Sequence, residues 1–412
     1  MDENLISAGF MGIFIPALIL SFIIGFRMVF KEGILRSLIF SSAAVFLSLP
    51  VFVVRRVSLV GVPYRFKLYE TFSLDLFFQS GWTQGLLVNQ KYHLLIVLLL
   101  MEVFIVYFLC GYKFFYKKFK NILRTIKPFR TLHFIMMVLL GAIFVGEFAP
   151  EESLSLTSIN HFPFVFTAAF CGVLAWQFTT LLNDIYDMDI DVHVHPTRPL
   201  VSGHLSRRLY LDISIFTALL STLFSLLLGI PIMLFNITAL LLAVLYSVPP
   251  FRLRDRFYGH ICVGLGSLIA FLFGVYSPTR WRHGIYTSSE ITGRNIPFFP
   301  EVFFVSILIV TVLSISPLIN ALSDYEGDKS SGVKNVYTVL GFERGKKVVS
   351  VLIILLFISP LVLFSSLIDM VILFAAGVIS SIIFYRFEDH RPVFGMYFLV
   401  LIYLLLRFIS YL

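Results

Sequence analysis

The sequence predicts an all-α protein, a polytopic bundle of membrane-spanning helices. Of its 412 residues, 58% are hydrophobic and only 14% are charged. The mean hydropathy is +0.91, and the apolar residues come in runs of about 20, which is the length of a helix that crosses a bilayer. A soluble domain of this size could not remove so much apolar surface from water. Composition and run length together therefore indicate a membrane protein.

The apolar runs predict twelve spanning helices in two groups. The first group has three, at residues 9–30, 37–54 and 93–112. The second group has nine, at 132–149, 162–182, 211–229, 231–247, 260–276, 302–322, 348–367, 370–385 and 393–411. Pro231, preceded by Gly229, separates two runs that would otherwise form one overlong helix.

A domain boundary is predicted near residue 125. Residues 1–125 form an N-terminal extension with three predicted transmembrane helices, and its role is unknown. Residues 126–412 carry the nine remaining predicted helices and all the candidate chemistry. We therefore expect a nine-helix core preceded by about three extra helices. The oligomeric state is left open.

Basic loops predict the orientation, because loops rich in Lys and Arg stay in the cytoplasm. The segment from Lys113 to Arg130 carries seven basic residues and no acid, so we place it in the cytoplasm. The loop after the next span has Glu151 and Glu152 without a base and faces outward. The external loop 55–92 fits less well, since it carries more bases than acids. The prediction is a multi-pass protein of the cell membrane, if the organism is prokaryotic.

Several function classes are excluded. The three cysteines, Cys110, Cys171 and Cys262, lie within apolar segments and give neither a disulfide framework nor metal-ligand spacing. No G-x-x-x-x-G-K-[ST], H-E-x-x-H or G-x-S-x-G motif is present, which argues against nucleotide-driven, zinc-protease and serine-hydrolase chemistry. The net charge of +8 resides mostly in short loops, where orientation and lipid headgroups explain it better than nucleic acid does.

An acidic motif follows the apolar run 162–182. Asn183, Asp187 and Asp191 stand at steps of four, which places them on one face of a helix, one turn apart. The same pattern recurs after the run 302–322, with Asn320, Asp324 and Asp328. The two motifs are separated by four predicted crossings, an even number, so both should open on the cytoplasmic side. Paired acids where spans meet the interface predict a functional site.

The paired motifs predict magnesium and a diphosphate. Facing carboxylates cannot all stay ionised in a low-dielectric site unless cations lie between them. Mg²⁺ suits these ligands, because it prefers a few carboxylates together with water and substrate phosphate. Basic residues near the motifs could bind the remaining phosphate charge; each could equally be an orientation anchor. These residues are Arg198, Arg207, Arg252, Arg254, Lys329 and Lys334.

A charged headgroup at the interface and an apolar tunnel between helices describe a polyprenyl diphosphate. Metal ions make diphosphate a good leaving group, and an acceptor in the same cavity could trap the allylic cation that remains. The predicted function is an intramembrane prenyltransferase with catalytic Asp187, Asp191, Asp324 and Asp328. Two alternatives stay open. One is a cyclase that needs no acceptor, and the other, less favoured because the acids lie at span ends, is a cation-coupled transporter.

Four segments of the chain resemble the UbiA superfamily of intramembrane prenyltransferases over about residues 126–412. They are NDIYDMDID at 183–191, HPTRPLVSGHLS at 195–206, LYSVPPFRLR at 245–254 and DYEGDKSSGVKNVYTVLG at 324–341. The resemblance implies an all-helical bundle with a central cavity, a cytoplasmic cap over both motifs, and Mg²⁺-dependent transfer of a prenyl chain. Residues 1–125 have no counterpart in that core.

The resemblance also implies roles for individual residues. Asn183, Asp184, Asp187 and Asp191 would hold one Mg²⁺, and Asp324 and Asp328 the other. Tyr246 resembles a tyrosine that contacts the diphosphate, but Pro250 stands where one common form has Lys, so Arg252 or Arg254 would replace it. The acceptor, whether aromatic or a lipid or sugar phosphate, and the length of the prenyl chain are not readable from the sequence.

Overall fold

The computed structural model describes residues 105, 108–109, 111–148, 162–228, 230–277, 300–364 and 366–409. The predicted spans 9–30 and 37–54, and most of 93–112, lie outside these residues, so the N-terminal extension stays a prediction. Within the described ranges the regular elements are all helical. The prediction of an all-α fold is confirmed for that part of the chain.

The described residues form fourteen α-helices. In chain order they are α1 Tyr116–Leu123, α2 Pro128–Phe148, α3 Phe162–Tyr186, α4 Met188–Val194, α5 Arg207–Leu228, α6 Ile230–Ser247, α7 His260–Tyr276, α8 Pro300–Leu313, α9 Ile315–Asn320, α10 Tyr325–Ser330, α11 Val336–Leu340, α12 Phe342–Ile358, α13 Leu367–Phe387 and α14 Arg391–Ile409.

Long apolar helices occupy all nine predicted core spans. Eight segments of the described residues are long and apolar enough to cross a bilayer: those of α2, α3, α5, α7, the pair α8 and α9, α12, α13 and α14. Helix α6 is shorter but equally apolar. The outer surface is also apolar, as on α13, where Leu367 is 75% exposed and Phe374 is 57% exposed. Surfaces of this kind suit lipid, so the protein is a multi-pass membrane protein.

Two predicted spans differ in detail from the observed helices. The run 302–322 divides at Ser314 into α8 and α9, and α9 ends at Asn320. Pro317 explains the division, because it has no N–H to donate to the carbonyl of Leu313 and its ring crowds that carbonyl. The predicted span 348–367 corresponds to α12, which begins earlier, at Phe342, and ends at Ile358.

Helices α2 and α7 touch along their backbones. A Cβ atom on Gly141 would lie 2.0 Å from the carbonyl oxygen of Phe271, and one on Gly274 would lie 1.9 Å from that of Val138. Small residues at such crossings let membrane helices approach closely, which maximises van der Waals contact where lipid gives no hydrophobic drive. This crossing fixes α2, and with it the residues at its first turns, against α7.

The chain after α3 and the chain after α9 lie at the same end of the bundle. Short helices α4 and α10 contact each other there. The segment between α6 and α7 joins them, since the backbone N–H of Lys334 donates to the carbonyl of Asp255 at 3.1 Å. Four spanning segments separate α3 from α10. Because four is an even number of crossings, the ends of α3 and α9 are expected on the same side of the membrane, as observed. The two acidic motifs therefore share one end of the molecule.

Candidate active site

The first motif remains helical in its hydrogen bonding although the helix bends. Helix α3 ends at Tyr186 and α4 begins at Met188. The N–H of Asp187 still donates to the carbonyl of Asn183 at 2.9 Å, and that of Asp191 to the carbonyl of Asp187 at 2.8 Å. The predicted spacing of one turn is thus kept. The side chains of Asp184, Asp187 and Asp191 are all buried.

The second motif is interrupted, which corrects the expectation of one continuous helix. Asn320 ends α9, a turn follows over residues 321–324, and Asp328 lies within α10. The N–H of Asp328 donates to the carbonyl of Asp324 at 2.8 Å, so only this half keeps the helical spacing. The Nδ2 of Asn335 donates to Oδ2 of Asp328 at 2.7 Å. Asn335 was not expected in the site.

Three arginines pair with the carboxylates of the first motif. Arg198 donates to Asp184 at 3.2 Å and also pairs with Asp191. Arg254 pairs with Asp187, and Arg252 lies 3.4 Å from the same carboxylate. The predicted basic residues Arg198, Arg252 and Arg254 therefore meet the first motif. In this arrangement their guanidinium groups balance buried carboxylates, and they lie where a bound anion could recruit them.

The two motifs share their charge environment. Arg254 pairs with Asp187 and also interacts electrostatically with Asp324 and Asp328 of the second motif. Tyr246 is half-buried and interacts with Asp328 in the same way. Arg254 thus lies between the motifs, as a residue that contacts a shared ligand should, whereas Tyr246 lies near the second motif.

Three predicted basic residues are not brought to the carboxylates. Lys329 is exposed, and its ammonium lies 5.4 Å from the ring centroid of Tyr325. Lys334 is exposed and joins the site through its backbone alone. Arg207 is exposed at the start of α5. Among the described residues, none of these three side chains forms an ion pair with a motif carboxylate.

Two basic residues on α2 and just before it were missed by sequence reasoning. Lys127 donates to Oδ1 of Asp184 at 3.0 Å, and Arg130 interacts electrostatically with Asp324 and Asp184. Both belong to the basic segment that we interpreted only as an orientation signal. Their spacing of three, at the start of a span, is the signal that could have found them, because it places both on one helix face.

Burial shifts the pKa values of these groups. Burial and the neighbouring charge of Asp324 raise the pKa of Asp328 to about 6. Burial also raises the pKa of Asp191, although Arg198 opposes the shift. Burial lowers the pKa of Lys127 to about 8 against the attraction of Asp184. At the second motif, burial and the like charge of Asp324 thus outweigh the attraction of Arg254 for the carboxylate of Asp328.

The oxygen atoms of the two motifs could supply part of the ligands that a hard divalent cation needs. Within the described ranges, no three His, Cys, Asp or Glu side chains converge closely enough to hold a metal by themselves. Each motif instead supplies a few oxygen donors, and Asp324 and Asp328 repel each other although Arg254 attracts both. Mg²⁺ binds to such partial sets, because it keeps several waters or takes substrate phosphate oxygens as its remaining ligands.

The fold and the site define a class of protein: a multi-pass helical bundle that presents two acidic motifs at one end. The particular family is shown by the sequence. The model of the UbiA prenyltransferase family matches residues 139–402, and the chain belongs to this family. It is therefore a prenyltransferase, and the cation-coupled transporter is set aside.

Relatives of known function support this membership. The chain is 25% identical over 264 residues to a digeranylgeranylglyceryl phosphate synthase from Saccharolobus solfataricus, covering 61% of this chain and 83% of the relative. It is 28% identical over 225 residues to one from Methanosphaera stadtmanae, covering 53% and 74%. It is 30% identical over 185 residues to a 4-hydroxybenzoate octaprenyltransferase from Francisella tularensis, covering 44% and 57%.

Solved structures share the fold. A UbiA homologue from Archaeoglobus fulgidus, bound to DMAPP and Mg²⁺, matches with a TM-score of 0.50 and 21% identity over 71% of this chain and 100% of that one. A UbiA homologue from Aeropyrum pernix matches with a TM-score of 0.51 and 17% identity over 69% and 98%. At these identities the likeness is one of fold alone.

Proposed function

We propose that the chain is a Mg²⁺-dependent intramembrane prenyltransferase that ionises a polyprenyl diphosphate, transfers the prenyl group to an acceptor and releases diphosphate. The observation that carries the proposal is the convergence of two acidic motifs at one end of an apolar bundle, with Arg254 between them. An anionic headgroup at that end and an apolar chain within the bundle suit one amphiphilic substrate. The UbiA homologue from Archaeoglobus fulgidus was solved with a bound prenyl diphosphate, DMAPP, and Mg²⁺.

Six residues are proposed to hold the metal. Asn183, Asp184, Asp187 and Asp191 would serve one ion, and Asp324 and Asp328 the other. Bound Mg²⁺ would supply positive charge that stabilises the departing diphosphate. Asp184 also pairs with Lys127 and Arg198, so besides serving the metal it would orient these two residues toward the phosphate oxygens.

The basic residues are proposed to hold the diphosphate. Arg198, Arg252 and Arg254 are forks that could turn from carboxylate to phosphate oxygens as the metals take over the carboxylates. Tyr246 would add a hydroxyl near the second motif. Lys329 and Lys334 stand further out, and we propose for them a weaker, long-range attraction of the headgroup.

The placement of the enzyme in the membrane is also a proposal. We expect the acidic end to face the cytoplasm, because Lys113 to Arg130 form a basic segment beside it. Residues 126–412 would be the catalytic core, and residues 1–125 an extension of unknown role. In a prokaryote the membrane would be the cell membrane.

The acceptor is proposed as a class only. A digeranylgeranylglyceryl phosphate synthase forms a glycerol phosphate with two geranylgeranyl groups, and a 4-hydroxybenzoate octaprenyltransferase prenylates an aromatic acid. Relatives of this chain therefore use a lipid phosphate or a phenol. Geranylgeranylglyceryl phosphate and 4-hydroxybenzoate are the two acceptors to test first.

The experiment uses purified full-length protein in lipid nanodiscs. Labelled prenyl diphosphates of short, medium and long chain length would be incubated with each acceptor, with Mg²⁺ or with EDTA, and the products identified by mass spectrometry. We expect a prenylated acceptor and free diphosphate only with Mg²⁺. Equal product formation in EDTA would contradict the metal dependence, and a cyclic hydrocarbon formed without any acceptor would favour the cyclase.

A further inference from the structure

A polar triad lies within the apolar part of the bundle and has no part in the chemistry described so far. The Nε2 of His133 lies 2.9 Å from Oγ of Ser267, and the hydroxyl of Tyr397 lies 2.8 Å from Nδ1 of His133. The three residues come from α2, α7 and α14, so the triad joins three helices. Polar groups at membrane depth are costly and usually functional.

The triad lies directly below the acidic site. Lys127, just before α2, and Arg130 and His133 on α2 follow one another at steps of three, and the first two act on the motif carboxylates. His133 is therefore the next residue in this series, about 9 Å deeper than Lys127 at a rise of about 1.5 Å per residue. Ser267 and Tyr397 lie at similar depth, since α7 and α14 also begin at this end, at His260 and Arg391.

The triad packs between helices but is not closed to a ligand. Ser267 is fully buried, whereas His133 and Tyr397 are half-buried and keep accessible surface. Phe134 stacks on Trp176 beside His133, with 4.6 Å between the ring centroids, so the surroundings of the triad are aromatic. Trp176 stands two turns below Asn183 on α3, which again places the triad beneath the first motif.

The hydrogen bonds fix the direction of each proton. The hydroxyl of Ser267 donates to the carbonyl of Val263 at 2.9 Å, so its oxygen must accept from Nε2–H of His133. A neutral imidazole has one N–H, which leaves Nδ1 as an acceptor for the hydroxyl of Tyr397. All three bonds form together only in this pattern. The oxygen of Tyr397 then keeps a free lone pair and can accept a hydrogen bond from a ligand.

We infer that Tyr397, held by His133 and Ser267, accepts a hydrogen bond from the hydroxyl group of the acceptor and so selects hydroxyl-bearing acceptors. This rests on the proposed function. If the diphosphate is held at the motifs, it occupies the motif side of the allylic cation, so the acceptor reaches the prenyl carbon from the deeper side. Tyr397 stands there. Tyr397 would be an acceptor-binding residue, and His133 and Ser267 would be positioning residues.

The test compares hydroxyl-bearing acceptors with their methyl ethers in the full-length protein. The acceptors are geranylgeranylglyceryl phosphate and 4-hydroxybenzoate, with labelled geranylgeranyl diphosphate as donor. Tyr397→Phe should raise the acceptor KM about tenfold, the effect of one lost hydrogen bond, and leave the donor KM within about twofold. In competition experiments, the wild type should bind each methyl ether about tenfold more weakly than the corresponding hydroxyl compound. Tyr397→Phe should bind the two compounds equally well.

Matched variants separate binding from folding. Tyr403→Phe removes a hydroxyl from the same helix, but one that donates to Asp369, and should change neither KM. His133→Phe should resemble Tyr397→Phe, whereas His133→Asn should restore part of the acceptor affinity because its amide oxygen can accept from Tyr397. If Tyr397→Phe fails to fold, the methyl-ether comparison in the wild type decides.

Each outcome is decisive. An unchanged acceptor KM in Tyr397→Phe, an equal rise of both KM values, or equal binding of alcohol and ether by the wild type would overturn the inference. Absence of product with both acceptors would also overturn the inference. If the same samples still released diphosphate in a Mg²⁺-dependent way, the proposed ionisation would remain supported. Loss of that release as well would reject the proposed function itself.

Discussion

Asp187 and Asp324 have the same backbone conformation and the same place in their motifs. Asp187 has φ −99° and ψ 5°, and Asp324 has φ −98° and ψ 1°. Each directly precedes a short helix, and the carbonyl of each accepts the N–H four residues later at 2.8 Å. Bridge-region angles of this kind are common in active sites, because they turn the chain while keeping its hydrogen bonds. The two motifs are thus equivalent in conformation from their first aspartate onward, although only the first motif keeps the helical bond back to its asparagine.

This equivalence predicts equal losses at the two positions. Asp187→Asn and Asp324→Asn each remove a charge without changing shape, so each should lower turnover by at least about a hundredfold and leave the protein folded. Transfer of labelled prenyl groups and gel-filtration profiles would measure the two effects. Asp189→Asn is the matched control, since Asp189 lies between the motif residues but is exposed, and it should keep normal activity.

Residual activity near wild type in either motif variant would contradict the metal assignment. A loss confined to Asp187→Asn would instead indicate that only one motif takes part. The control matters because a general sensitivity of α4 to lost charge would also lower the activity of Asp189→Asn.

The raised pKa of Asp328 predicts a pH-dependent effect of magnesium on stability. Between the usual value of 3.8 and about 6, the folded protein binds more protons than the unfolded chain, so the contribution of Asp328 to stability falls as pH rises through this window. Mg²⁺ binds the ionised form and would offset that loss. We expect Mg²⁺ to raise the Tm more at pH 7.5 than at pH 5, on the order of a few degrees.

Thermal unfolding in detergent, with and without Mg²⁺ and EDTA, measures this. Asp328→Asn should remove most of the pH dependence of the Mg²⁺ effect. A rise in Tm that is the same at both pH values and in the variant would show that the ion acts elsewhere.

Lys127 is predicted to stabilise the site, although sequence reasoning assigned it to orientation alone. Its ammonium lies 3.0 Å from the buried carboxylate of Asp184, so Lys127→Met should lower the free energy of unfolding. We expect a loss of about 1–3 kcal/mol, the cost of leaving a buried polar group less well paired. Denaturation in detergent would measure it. Lys117→Met, at an exposed lysine of the same basic segment, should lie within about 0.5 kcal/mol of wild type.

The proposed orientation predicts which loops a membrane-impermeant thiol reagent reaches. In a cysteine-free background, His195→Cys and Ser330→Cys should be labelled from the cytoplasmic side, since both lie at the acidic end. Glu152→Cys should be labelled from the opposite side. Labelling of intact cells and of inverted vesicles distinguishes the two faces, and a reversed pattern would refute the topology.

Much of the fold was predictable, because a spanning helix is a local property. With no water in the bilayer, each backbone group must find its partner within its own helix, so a long apolar run suffices to predict one. The placement of both motifs at one end followed from the even number of crossings. The division at Ser314 and the turn before Asp324 were not predicted, because they depend on Pro317 and on where α9 ends.

The sequence by itself determined that this is a membrane-embedded helical protein with two matched acidic motifs, and from them came the proposed class of ligand. Only the tertiary structure decided which side chains meet: Lys127 with Asp184, and Tyr397 with His133 across 264 residues of chain. The physical reason is that composition sets whether a helix spans the membrane, whereas its rotation and its neighbours depend on packing, as at Gly141 and Gly274.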